Sequence, residues 1–191
     1  MSIESRARIA SGFLFAIMLS SLVISSAYGA TTAPDAQSPL EQAQRAYADA
    51  WRAAPLSVST ATFATEPAAG YGQYTPRNSS VFALNEPLVV YLEPTGFGYG
   101  LDGDEYQIAL DASMELHTLD GKVLTSTASP QRVGLKSRDK NREFKASLVY
   151  RFNGLATGDY LLRIILKDIN SEKTAIVDLP FSIEEQSEPA R

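Results

Sequence analysis

Cysteine is absent from this 191-residue chain, and histidine and tryptophan occur once each, at His117 and Trp51. Without a thiol there is no disulfide, no thiolate metal site and no lipidated N-terminal cysteine. A single histidine excludes two-histidine metal motifs. In Met114-Glu115-Leu116-His117-Thr118-Leu119, nothing local supplies the nucleophile and orienting carboxylate of a Ser-His-Asp or Cys-His system. Strand alternation there sets Glu115 and His117 on one face and Met114 and Leu116 on the other, so His117 reads as an exposed strand residue. A phosphate-cradling glycine loop is missing too. The expectation is a chain that is not an enzyme, with no catalytic residue, no metal and no cofactor.

Basic residues are outnumbered, 17 against 22, for a net charge of −5. That balance argues against a general nucleic-acid binder. Long apolar runs are scarce as well. The one dense stretch, residues 13–24, follows Arg6 and Arg8 and precedes a small-residue exit with Ala27 and Gly29 at −3 and −1. This is the layout of a secretory signal peptide over residues 1–29, and the run is shorter than the ~20 residues of a membrane span. The expected product is exported, periplasmic or secreted, with no stable membrane anchor after cleavage. Losing Glu4, Arg6 and Arg8 moves the net charge from −5 to −6.

Residues 30–37, rich in Thr, Ala and Pro, read as a flexible leader. Over residues 38–55, Ser38 can cap a short helix with Pro39 in its first turn and Glu41 after it. Leu40, Ala43, Tyr47, Ala50, Trp51 and Ala54 recur at helical spacing until Pro55 ends the run. Tyr47 and Trp51 are its only large anchors.

From residue 56 to 184 the pattern is β, and residues 185–191 form a polar tail. Strands are expected at 58–65, 81–84, 88–93, 105–119, 123–127 and 143–152, with a hairpin turn at Asp120-Gly121. Residues 66–79 and 94–104 read as irregular loops, and 129–141 as a basic crossover. The closing segment is Gly158-Asp159-Tyr160-Leu161-Leu162 through Asp168, then a polar turn and Leu179-Pro180-Phe181-Ser182-Ile183. Turn signals about every ten residues favour an antiparallel β-sandwich of seven to eight strands over a βα alternation.

That closing pattern resembles the end of immunoglobulin-like and fibronectin-III-like domains in exported bacterial proteins, over about residues 81–183. The resemblance implies an immunoglobulin-like sandwich and carries no activity with it, since the fold hosts many functions. An inter-sheet cysteine pair and the tryptophan between its members are missing, so no antibody-type binding surface follows. The stretches Tyr74-Thr75-Pro76-Arg77 and Tyr91-Leu92-Glu93-Pro94-Thr95-Gly96-Phe97 look like those of uncharacterised exported bacterial proteins.

Three groups of side chains are candidates for a site. Tyr71, Tyr74, Phe97 and Tyr99 sit on glycine-rich loops, where rings either stack on a ligand or fold back to plug the sandwich. Arg132, Lys136 and Arg138, with Lys140, Arg142 and Lys145, form a basic run that meets an anionic partner or protects a sheet edge. Glu93, Asp102, Asp104 and Glu105 flank the second loop but lack the spacing of a calcium loop and imply no groove for a glycosidase pair. The expected function is non-catalytic binding or scaffolding of another envelope component, a protein or a glycan, through the loops. Alternatives are a carbohydrate-binding module using the loop aromatics, and a structural subunit or chaperone docking by an edge strand or the helix. The oligomeric state is not legible.

Overall fold

A computed structural model describes residues 38–185. The expected signal peptide, the leader and all of the tail except Glu185 lie outside the described residues. Helix α1 (Pro39–Ala53) starts where its capping chemistry dictates. Glu41 N–H donates to Ser38 Oγ (3.3 Å) while the Glu41 carboxylate accepts Ser38 N–H (2.9 Å), a reciprocal capping box. No residue of α1 is buried, so a few specific contacts must hold it. No helix among the described residues is long and apolar enough to cross a membrane.

Ten strands follow among the described residues: β1 (Ser57–Ala64), β2 (Val81–Ala83), β3 (Leu88–Thr95), β4 (Gly100–Asp102), β5 (Glu105–Thr118), β6 (Val123–Ser126), β7 (Gln131–Ser137), β8 (Ala146–Tyr150), β9 (Gly158–Asp168) and β10 (Thr174–Glu184). They form a three-stranded sheet, β1-β3-β8, and a large sheet in the order β2-β10-β9-β5-β4 to which β6 and β7 also belong. The 14-residue β5 organises the large sheet. One of its edges pairs with β7 along Tyr106–Ala112 and then β6, the other with β4 and then β9 along Leu110–Thr118. With four partners on one strand the sheet curls into a half-barrel. Val90, Leu92 and Leu148 of the small sheet pack against Leu110, Leu162, Ile164, Leu166 and Phe181 of the large one in a single core.

The chain is thus mostly β with one short helix, and four expectations are corrected. The large sheet is mixed, because β2 runs parallel to β10, with Val81 against Ser182. Residues 84–173 intervene between these two strands, and parallel pairing requires such a long connection. The loop at 94–104 contains strand β4. The basic crossover at 129–141 is largely strand β7, whose Val133 and Leu135 turn inward between exposed Arg132, Gly134 and Lys136. Finally, the strand at 143–152 is regular only over Ala146–Tyr150.

Strand β3 is buried on both faces, which alternation alone does not predict. Its outer face is covered by the 66–76 loop, where Tyr74 stacks on Tyr91 with ring centroids 4.0 Å apart. Ala64, Ala68 and Val89 complete this second, smaller cluster. Inside it the Tyr91 hydroxyl donates to Glu93 Oε1 (2.6 Å) and accepts Gly72 N–H (2.7 Å), and Thr60 donates to Glu93 Oε2 (2.9 Å).

Burial, reinforced by the bond to Glu93, pushes the Tyr91 phenol up to about 12 from its usual 10. The neutral phenol is favoured by folding, so this contribution is complete below pH 10 and is lost as the pH rises from 10 towards 12. The fall is ~1.4 kcal/mol per pH unit in that window. Urea denaturation between pH 8 and 11 should show it. Tyr91→Phe should remove its own share of the fall, leaving that of Tyr150 and Tyr99, whose phenols burial also raises, while costing about 1–3 kcal/mol at neutral pH, through the unpaired Glu93 and Gly72 groups. An unchanged alkaline profile in the variant would refute the assignment.

Candidate functional site

Four segments distant in sequence converge on a half-open cavity of about 270 Å³. They are the last turn of α1, residues 96–100 after β3, residues 140–142 before β8, and the turn between β9 and β10. Trp51 locks the first two together. Its Nε1–H donates to the Phe97 carbonyl (2.8 Å), and its ring meets Phe97 edge-on at 5.1 Å. Lys173 reinforces the junction from the turn by donating to the carbonyls of Arg52 (2.9 Å), Ala54 (2.6 Å) and Gly96 (2.9 Å). A cation on the last carbonyls of a helix also suits its dipole.

Beneath the cavity lies Asp168, whose side chain is fully buried. It accepts Gly98 N–H (2.5 Å), Asn170 N–H (2.9 Å) and the Ser171 hydroxyl. The Asn170 amide then donates to the carbonyls of Gln107 (3.0 Å) and Gly98 (3.3 Å). The aromatic loop is therefore clamped to the β9–β10 turn by a carboxylate that is accepting from three donors.

The third wall carries the charge. The Arg142 guanidinium lies 3.9 Å from the Tyr47 ring centroid and 5.8 Å from that of Trp51. Lys140 Nζ lies 5.1 Å from the Tyr106 centroid and 5.8 Å from that of Tyr99. Tyr99 donates its hydroxyl to the Asn141 carbonyl (2.8 Å). Burial raises the Tyr99 phenol, and Arg142 opposes that rise. Ring faces attract cations through their quadrupole, so the aromatics hold the two cations in place.

The residues singled out from sequence fare differently. Tyr99 lines the cavity. Phe97 also borders the cavity, but it is 1% exposed and packs on Trp51, Tyr99 and Phe144, so it plugs the floor and offers no open ring. Tyr74 is engaged by Tyr91 on the outer face of the small sheet, with exposed Tyr71 on the same loop; neither lines the cavity. The basic run is divided. Arg132 pairs with Asp111, and Lys136 with Asp102, across exposed strand faces. Arg138 is exposed, Lys145 donates to the Ala68 carbonyl (2.7 Å), and only Lys140 and Arg142 reach the cavity.

In the acidic loop, the bond from Lys136 holds the Asp102 carboxyl below its usual range. No group of three or more His, Asp or Glu side chains among the described residues is placed to hold a metal. His117 is corrected from exposed to buried, at 7% exposure. Its register neighbours Val123 and Leu161 flank it, and its Nε2 lies 2.8 Å from Glu115 Oε2.

Sequence reasoning missed Asp168, Asn170 and Lys173. The faint signal was an Asp-x-Asn-Ser run at a strand end, which favours a side-chain-capped turn.

No protein-family model and no curated protein matches the chain. Among solved structures, it is similar to the Pseudomonas fluorescens alkylpurine DNA glycosylase AlkC bound to DNA containing an abasic site analog. That match has 8% identity and a TM-score of 0.36, and covers 69% of this chain and 31% of the glycosylase chain. A CARDB domain from Pyrococcus furiosus in complex with di-metal ions is similar at 10% identity and a TM-score of 0.30, over 68% of this chain and 86% of that one. One solved neighbour is thus an enzyme, and the exclusion of catalysis drawn from missing motifs is withdrawn. At these TM-scores the likenesses assign neither an activity nor a ligand.

Proposed function

We propose that this chain is an exported β-sandwich of immunoglobulin-like kind that binds or scaffolds another cell-envelope component. The cavity between α1 and the 96–100 loop is its recognition site. Export rests on the N-terminal signal pattern, and immunoglobulin-like kinship on the closing β9–β10 hairpin packed over a second sheet. The observation that carries the binding reading is the convergence of four separate segments on one cavity, each segment fixed by named hydrogen bonds. Sites that bind through a few pre-positioned polar groups in an aromatic wall have this construction.

The carbohydrate-binding alternative is less well supported. Flat sugar stacking needs coplanar open rings, whereas Trp51, Phe97, Tyr99 and Tyr106 meet their neighbours at 81°, 71° and 75°. The edge-docking alternative would use the outer edge of β7, which pairs only with β5. It lacks a comparable constellation of fixed side chains.

The test is affinity capture from envelope extract on the immobilised protein. A component retained by the parent should be lost by the Trp51→Phe/Tyr99→Ala double variant, with both proteins shown by circular dichroism to be folded. Equal retention by the two proteins would dismiss the cavity as the recognition site.

A further inference from the structure

We infer that the cavity takes an oxyanion end group, a carboxylate or a phosphate, received by Arg142 and Lys140. This inference rests on the cavity being a binding site and adds the class of ligand.

The first argument is charge. The lining contains Arg52, Lys140, Arg142 and Lys173 and no carboxylate. Arg52 is engaged by Asp49 and Lys173 by three carbonyls. Elsewhere Arg77, Arg132, Lys136, Arg163 and Lys167 each have an acidic partner. Arg142, although half-buried, has no carboxylate within ion-pair distance among the described residues, and neither has Lys140. Arg45, Lys122, Arg138, Lys145 and Arg151 also form no ion pair among the described residues, but none of them lines the cavity, where Lys140 and Arg142 meet ring faces and the Tyr99 hydroxyl.

The second argument is geometry. The Arg142 guanidinium sits over the Tyr47 ring, and its planar fork of N–H donors matches carboxylate and phosphate oxygens. The rings of Tyr47 and Trp51 and a bond to the Tyr99 hydroxyl thereby preorganise Arg142, and the rest of its five N–H donors are left for a ligand.

Neutral recognition is poorly provided for. Gly98 N–H, the Ser171 hydroxyl and the Asn170 amide are all engaged internally, and Trp51 Nε1–H is on the Phe97 carbonyl. Charge is the main polar force left for a ligand. The volume of about 270 Å³ falls just below the ~300 Å³ at which drug-sized pockets begin. It suits one small acid or the end of a longer chain.

Trp51 is the only tryptophan, so its fluorescence reports on this cavity in the intact protein. Titration at constant ionic strength with glucuronate, glucose and inorganic phosphate separates the possibilities. A response to glucuronate but not phosphate supports the inference with carboxylate as the group, and a response to phosphate supports it with phosphate. In either case Arg142→Gln should weaken binding about tenfold or more and Arg142→Lys should weaken it less. Arg138→Gln, outside the lining, should leave it unchanged, with melting curves confirming that each variant is folded.

Glucose binding as tightly as glucuronate, unaffected by Arg142→Gln, would overturn the ligand class and leave the cavity as a binding site. Silence to both anions while capture still depends on Trp51 and Tyr99 would overturn this inference alone. Silence in both experiments would overturn the two together.

Discussion

Replacing Asp168 with alanine is expected to cost about 3–5 kcal/mol of stability, because three buried or half-buried donors lose their common acceptor. The carboxylate is fully buried and accepts from Gly98 N–H, Asn170 N–H and the Ser171 hydroxyl. Alanine supplies no oxygen, so those donors must admit water or stay unpaired. The damage should not stop at the turn. Gly98 follows Phe97, whose carbonyl holds the Trp51 indole, so releasing the loop should also loosen α1. Asp168→Asn keeps the shape but exchanges one acceptor oxygen for a donor, and should fall between alanine and the parent. Urea denaturation gives the size of the loss, and a red shift of Trp51 emission in the native baseline reports loosening of the helix. A loss under about 1 kcal/mol for Asp168→Ala, the range of a typical exposed bond, would contradict the clamp.

A second large loss is expected for Gly96→Ala. Gly96 has φ +74°, and an added Cβ would lie 2.3 Å from the Pro55 carbonyl oxygen. The left-handed conformation alone costs a side-chain-bearing residue ~1–2 kcal/mol. The collision is with backbone, which cannot rotate away, so the segment carrying Pro55 must move. That movement would pull the Ala54 and Gly96 carbonyls off Lys173 and separate the helix end from the loop. A total above ~2 kcal/mol is expected once the strain and the displaced packing are combined. Gly103→Ala is the internal control, since Gly103 has φ +65° but nothing within 4 Å of an added Cβ. It carries the conformational cost without the collision. Denaturation of the two variants side by side decides the matter, and equal losses would remove the steric argument.

Legibility from sequence tracked how local the cause was. Strand β9 was readable because Tyr160, Leu162, Ile164 and Leu166 alternate with less buried residues, and one residue of shift would expose the whole set. Strand β7 was not readable, although Val133 and Leu135 alternate correctly. Its cations and Gly134 imitate a loop, and the carboxylates that neutralise Arg132 and Lys136 come from β5 and β4. His117 shows the same limit. Period-two reasoning placed it beside Glu115, but its exposure depended on the strands to either side. In the site, the glycine-rich aromatic loop stood out, while the difference between a buried Phe97 and a half-exposed Tyr99 at the same cavity followed from docking against α1 and the β9–β10 turn.

Cysteine-free composition, helix capping at Ser38 and Glu41, and the alternation of the closing hairpin are properties of neighbouring residues. They suffice for a mostly β chain with one short helix. The parallel β2–β10 pair, the cover over Tyr91 and the meeting of Trp51, Asp168 and Arg142 at one cavity each join residues far apart in the chain. Their energies depend on burial and on hydrogen bonds that form only once the sheets have packed, and no local pattern encodes that packing.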